Sequence, residues 1–411
     1  MKFQLFYIIL YYAAFEIIVT YNNKELRKLA PIKFRFKLNP KTGVPVIVNK
    51  FANDKVKQII DITANKTWTS ISQLNWDYIT EDSETYSQSG IRNFKLYGLY
   101  YTEDFYLGND YDSLCANSLN WFLYDRSEGV GIPTGGLGLS RRFDDIKDDV
   151  IMTLYNNKKI ESPCFAFSYN VQNEGSLIVG DLVDGLIEYP EYNSFLNVLD
   201  IDEKWRANLT HIFFGNETDG VIKNIDIARN KYLITKDIIQ INYPAYFSTT
   251  DKYIIAPISF MTYLEKNYFK DYSYCSKIKE DSISKIRCPI SKKEEIINTI
   301  KNLNFVFEDT NAYIMKQNEL FEEEGDYLVF IIVSYDNFDE WVMGYYFMSN
   351  YFLTFFRKTE SISIYSFLKK MYVKIVMDNP AKTYARSLLI FIMLIDLITI
   401  IVLIYINKVN K

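Results

Sequence analysis

Val56-Lys-Gln-Ile-Ile-Asp-Ile-Thr-Ala-Asn-Lys-Thr-Trp-Thr-Ser70 is the stretch from which the rest of the chain can be read. Val56 to Ile60 is apolar and β-branched at its end, so it predicts a strand that delivers Asp61 to a turn of small and polar residues. An acid at a strand end is a candidate for chemistry, or it simply opens an Asx-type turn, and taken alone the segment favours the turn. The choice between them depends on whether the chain supplies Asp61 with a partner.

At 411 residues the chain has room for two or three core-bearing units, and an apolar fraction of 48% excludes disorder for most of it. Tyr (34) and Phe (29) are abundant while Gly (16) and Pro (10) are scarce, which predicts a mostly β protein. A formal charge of -5, with no basic stripe carrying interleaved aromatics recognised in the composition, argues against a nucleic-acid partner. His211 is the only histidine, so Ser-His-Asp and Cys-His sites needing another are excluded, as is a histidine-rich metal site. No metal and no cofactor is expected. His211 itself, beside a sequon, reads as a surface or packed residue rather than a base.

The ends carry targeting signals. Lys2 followed by the apolar run Phe3 to Tyr12 and by Ala13-Ala14 gives residues 1–20 the pattern of a signal peptide, with the mature chain starting near Tyr21. Glu16 near the cleavage region leaves an uncleaved anchor as the alternative. Ser387 to Ile406 is an apolar run of 20 residues that would span roughly 30 Å as a helix, enough to cross a bilayer. Asp396 in its middle costs about 2.5 to 3.5 kcal/mol, which the run can absorb; pairing with a polar partner and a tolerated defect are equally open. The expected topology is an exported body in the secretory pathway or at the cell surface, a linker over 368–386, a transmembrane helix over 387–406 and a tail at 407–411. Asn65-Lys-Thr, Asn208-Leu-Thr and Asn216-Glu-Thr are then glycan acceptors. Four cysteines in an oxidising compartment allow three pairings, and sequence clustering favours Cys115 with Cys164 and Cys275 with Cys288.

Short apolar runs alternate with polar turns from Ile32 to about Asp104. The glycines of Val130-Gly-Ile-Pro-Thr-Gly-Gly-Leu-Gly-Leu-Ser140 lack a following Lys-Ser/Thr and a dinucleotide spacing, so they mark a close backbone approach. A helix is expected over 143–156, strands at Cys164–Tyr169 and Ser176–Gly180 around a turn at Asn173-Glu-Gly175, and a crossing over 181–197. The second half repeats the logic. Trp205 to Phe214 is a strand, Pro244 to Pro257 is a strand delivering a polar turn, a helix follows over 258–269, and strands recur near Phe305 and over Tyr327–Val333. Val342-Met-Gly344 echoes Gly136-Leu-Gly138. Two halves built this way imply an internal duplication.

With these segments in this order, the chain resembles the pepsin-like aspartic endopeptidases over roughly residues 30 to 367, with lobes at 21–190 and 191–367. Ile59-Ile-Asp-Ile-Thr63 occupies the family's first Asp-Thr/Ser-Gly motif, and Trp68 falls where the family places a tryptophan. Thr134-Gly-Gly-Leu-Gly-Leu139, Gly175-Ser-Leu-Ile-Val-Gly180 and Trp341-Val-Met-Gly344, with Asn350-Tyr-Phe-Leu-Thr-Phe-Phe-Arg357, are similar to later family segments. The resemblance implies a mostly β, bilobal fold with a peptide-binding cleft between the lobes.

The motif positions depart from the family. Phe247-Ser-Thr-Thr-Asp-Lys-Tyr-Ile-Ile-Ala-Pro257 puts Ser248 where the second aspartate belongs, and Thr249 and Thr250 in the Ser and Gly slots. Catalysis in the family needs two carboxylates sharing one proton, one acting as base on a water and the other as acid, and a serine hydroxyl takes neither role. Ile62 stands where a hydroxyl would brace the two loops, Thr63 adds a Cβ in a glycine slot, and Gly90-Ile-Arg-Asn-Phe94 offers no flap tyrosine. Asp251 would replace the missing acid only with a register shift that spoils the fit of Tyr253 to Pro257. The expectation is a catalytically inactive, membrane-anchored, pepsin-like protein binding an extended peptide or protein partner. The alternatives are an active endopeptidase using Asp61 and a non-standard second acid, and a structural surface protein with a filled cleft.

Overall fold

The computed structural model describes residues 32–39, 42–51, 54–74, 83–89, 92–108, 113–128, 133–170, 174–180, 193–215, 238–308 and 312–365. Within them the mostly β expectation holds, with strands gathered into one sheet of 13 and one of 11. Local alternation explains why these segments extend. In Ile32–Leu38, Phe34, Phe36 and Leu38 are buried while Lys33, Arg35 and Lys37 are exposed, a period of two. This segment is a local basic run with interleaved aromatics that the whole-chain charge conceals, but its phenylalanines are core residues and form no stacking surface.

The halves share the larger sheet. Six of its thirteen strands run, in spatial order, Asn193–Asn197, Ser361–Tyr365, Phe352–Phe356, Cys164–Tyr169, Glu174–Val179 and Ile32–Leu38, so strands near residue 360 pair with strands of the first half. Phe355 stacks on Phe165 at 5.1 Å and meets Trp205 edge-on at 5.2 Å. Trp205 Nε1 donates to the Leu139 carbonyl at 2.9 Å.

Two buried arginines tighten the junction. Arg141 reaches Asp200 at 2.9 Å and Glu360 at 2.6 Å. Arg357 donates to the Ser140 carbonyl, lies 3.2 Å from Asp149 Oδ2, and sits over the rings of Phe143 and Trp205. Burial pushes the Asp149 carboxyl up and the Arg357 guanidinium down, and each charge opposes the shift of the other.

Several expectations change. The helix over 143–156 is a 3₁₀ turn at Ile146–Asp148 followed by an α-helix at Val150–Asn156. Extended Asp149 separates them and caps the helix, accepting from the amides of Ile151 and Met152. Glu174 and Gly175 are strand residues rather than a turn; a Cβ on Gly175 would lie 2.3 Å from the Phe36 ring. Tyr327 to Val333 divides at Ile331 into Tyr327–Phe330 and Ile332–Tyr335, which share Ile283–Pro289 on one edge and have different neighbours on the other.

Cys275 and Cys288 are disulfide-bonded, because the hairpin register that sets Ser276 opposite Arg287 brings the flanking residues together. Cys115 and Cys164 are not bonded to each other, a correction to the expected pairing. Cys115 lies opposite Tyr106 in a long hairpin, and Cys164 opens a strand whose partner is Phe356.

Among the described residues no helix is long and apolar enough to cross a membrane. Residues 1–20, 368–386, the 387–406 run with Asp396, and Asn216 all lie outside the described residues.

Candidate functional site

Asp54–Asp61 runs parallel to Gly135–Gly138, with Ile59 opposite Gly136 and Asp61 opposite Gly138. The chain turns beyond Asp61 and returns as Trp68–Ser70 on the other side of the same glycine strand, antiparallel, with Trp68 opposite Gly136. This is a ψ-shaped loop: one strand lies between the two arms of another segment. The amides of Leu139 and Ser140 donate to the carbonyls of Asp61 and Ala64, at 2.8 and 3.0 Å, and fasten the turn. The glycines are required by the closeness expected of them. A Cβ on Gly138 would lie 2.2 Å from the Lys66 carbonyl, and one on Gly136 would lie 2.2 Å from the Trp68 ring.

The second half builds the same device. Ile238–Phe247 runs parallel to Trp341–Met343, with Phe247 opposite Met343, and Ile254–Ile255 returns antiparallel on the other side. A Cβ on Gly344 would lie 2.1 Å from the Tyr253 carbonyl and 2.5 Å from that of Asp251. Even the outer neighbours correspond: Trp68–Ser70 and Ile254–Ile255 each add a further parallel strand. Matching the two loops by these registers sets Asp61 against Ser248, Ile62 against Thr249, Thr63 against Thr250, and Ala64 against Asp251.

Asp61 is fully buried, and its Oδ1 accepts from the Thr63 amide at 2.9 Å and the Thr63 hydroxyl at 2.6 Å. The Cβ of Thr63, expected to harm the turn, is accommodated: the residue has no positive φ, and its amide still reaches the carboxylate. Ser248, also fully buried, is held in parallel fashion, its Oγ accepting from the Thr250 amide at 3.3 Å. That hydroxyl donates to Asp251 Oδ2 at 2.7 Å. The second loop therefore carries its carboxylate three residues further along, at the position that Ala64 holds in the first. The register is unshifted, so Ser248 keeps the position equivalent to Asp61 and Asp251 reaches that position only through the Ser248 hydroxyl.

The Thr249 side chain braces the two loops. Thr249 Oγ1 donates to the Ile60 carbonyl at 2.6 Å and accepts from the Ile62 amide at 3.3 Å, across the lobe junction. The reciprocal bridge would start from position 62, and the Ile62 side chain has no hydroxyl to offer. The sequence signal for this half-brace is Thr249 in the slot after Ser248; the residues alone give its place in the motif but not its partner across the junction.

Around the loops, Trp68 packs with Ala64, Leu96, Phe122 and Tyr124. In the hairpin of Ser83–Ser89 and Arg92–Leu107, Ser89 lies opposite Arg92, and Gly90 and Ile91 of the expected flap stretch lie outside the described residues. Asn65 is half-buried in the turn, while Thr67 of the same triplet is buried and accepts from the Gly138 amide at 3.3 Å. A glycan is not needed to account for that threonine. Asn208 is half-buried on Arg206–Phe214. His211 is packed, 2% exposed, and burial holds its pKa down. Among the described residues there is no cluster of His, Cys, Asp and Glu able to hold a metal ion.

Chemically, a carboxylate at each of two equivalent loop positions can share a proton and activate water between them. Here the equivalent positions carry one carboxylate and one hydroxyl, and the hydroxyl's proton is committed to Asp251.

The chain resembles the crystal structure of an aspartic proteinase from Irpex lacteus, with a TM-score of 0.57 over 85% of this chain and all of that one, at 11% sequence identity. That likeness concerns the fold. No curated protein matches in sequence. The family model described as eukaryotic aspartyl protease matches residues 128–366, more than half of the 411, from just before the first glycine strand to beyond the second. The Asp61 loop precedes the matched range and is assigned by its register. The chain belongs to the eukaryotic aspartyl protease family.

Proposed function

We propose that this protein is a catalytically silent member of its family, exported and membrane-anchored, whose interlobe cleft holds an extended peptide or protein partner without cutting it. The observation that carries this reading is Ser248: its hydroxyl sits at the position equivalent to Asp61 and donates to Asp251 at 2.7 Å. A hydroxyl there neither takes a proton from water nor shares one with Asp61 near neutral or acidic pH. The peptide-binding half of the reading rests on the family's fold, and the anchoring half on the 1–20 and 387–406 runs.

A second reading draws on the same bond. Asp251 lies one hydrogen bond from the Ser248 position, so an endopeptidase using Asp61 with Asp251 as an unorthodox second acid is the alternative. The full chain incubated with labelled extended peptides discriminates the readings: anisotropy reports binding and mass spectrometry reports whether recovered peptide is intact. Bound, intact peptide supports the proposal. Fragments that disappear in both Asp61→Ala and Asp251→Asn variants establish the alternative, and absence of any binding favours a filled cleft.

A further inference from the structure

A second groove lies away from both ψ loops. Ile32–Leu38 pairs with Glu174–Val179 along most of its length on one edge, but on the other edge only Lys37 and Leu38 pair, with Val46 and Pro45. Pro45–Phe51 pairs fully with Asp54–Asp61 on one edge, and on the other only at its ends, with Lys37 and Leu38 and then at Lys50 and Phe51. The two strands splay, so residues 32–36 and 47–49 face each other across a gap with no ladder partner among the described residues. The gap is a groove of about 600 Å³.

The groove's charge is one-sided. Lys33, Arg35, Lys37 and Lys57 line it against a single acid, Glu174, and none of these cations forms an ion pair among the described residues. In a chain with 46 basic and 51 acidic residues, four unpaired cations along one groove are a local excess. Lys33, Arg35 and Lys37 alternate along one strand, so their heads recur at roughly 6.6 Å, two residues of extended chain. An added strand repeats its own side chains at that same interval.

We propose that this groove binds an extended acidic peptide by strand addition, with carboxylates at alternate positions matched to Lys33 and Arg35, and Lys37 at the closed end of the groove adding to the same positive field. The backbone edge at 32–36 spans roughly 16 Å and takes about five residues. Main-chain hydrogen bonds supply adhesion and the alternating cations supply register. Apart from Lys57, which lies on the strand leading to Asp61, no residue of this groove belongs to either ψ loop, and Lys33, Arg35 and Lys37 can be altered without touching the cleft.

The test measures anisotropy of three labelled peptides against the full chain: alternating Glu and Val, an isomer with the same residues in two blocks, and the alternating peptide N-methylated at every second amide. The alternating peptide should bind at least about tenfold more tightly than either other form, and more weakly as salt rises. The Lys33→Gln/Arg35→Gln/Lys37→Gln variant, with an unchanged thermal midpoint as its folding control, should lose that preference. Equal binding of the two isomers, indifference to N-methylation, or binding retained by the triple variant overturns the proposal. So does capture by phosphatidylserine vesicles without peptide binding, which would make the face a lipid surface.

Discussion

Replacing Thr249 by Val keeps the shape of the side chain and removes its hydroxyl, which braces the two ψ loops from both its donor and acceptor sides. Two buried backbone groups lose their partner: the Ile60 carbonyl, now at 2.6 Å, and the Ile62 amide, at 3.3 Å. Each orphaned buried group costs about 1–3 kcal/mol, so the pair predicts a loss of roughly 2–6 kcal/mol, the upper half requiring that no water replaces either bond. In a lobe of this size that is roughly 5 to 20 °C in thermal midpoint. Thr249→Ser retains the hydroxyl and is the control, expected to fall by less than the Val variant although it loses a methyl group. Calorimetry or denaturant unfolding of the full chain reads both. Because Ile62 supplies no reciprocal bridge, no second hydroxyl in the grip cushions the loss. If the Val variant matched the Ser variant within about 0.5 kcal/mol, the one-sided brace would be refuted.

Other consequences are as accessible. His211 is buried with its pKa held down, so the unfolded chain binds the proton more readily. Its contribution is fully present above the unfolded pKa of about 6.5 and is lost as pH falls through that value toward the folded one, and His211→Leu should flatten this part of the stability curve. Removing the Cys275–Cys288 bridge, whose cysteines are 13 residues apart, with a double serine variant should cost about 2–3 kcal/mol in unfolding measurements. Gly136→Val would drive a side chain into the Trp68 ring, destabilising by about 1–3 kcal/mol or more and shifting tryptophan emission; unchanged emission and stability would contradict the packing described.

What could be read from residues alone was whatever local pattern determines. Asp61, Ser248 and the two glycine strands were placed because strand, polar turn and glycine follow one another in each half, and a ψ loop needs only those pieces in order. Contacts set by distant register were out of reach. Cys115 and Cys164 are neighbours in the order of cysteines but belong to strands with different partners, whereas Cys275 and Cys288 share one hairpin and were paired correctly. The helix over 143–156 failed at Asp149, whose capping bonds favour an extended backbone in the middle of a helical pattern. Thr63 reads in the sequence as a lost glycine, yet its amide bonds the Asp61 carboxylate and its hydroxyl adds a second bond. Ser248 and Asp251 read from the sequence as alternatives for one role, and the turn makes them partners.

The central claim is that the hydroxyl at Ser248 leaves Asp61 without a working dyad. The most direct measurement is the rate at which the full chain hydrolyses an unfolded protein between about pH 3 and 7, set beside its Asp61→Ala variant across the working range of carboxylate dyads. The account predicts that the two rates coincide at background throughout. Robust cleavage by the unaltered chain, abolished by Asp61→Ala, would contradict it.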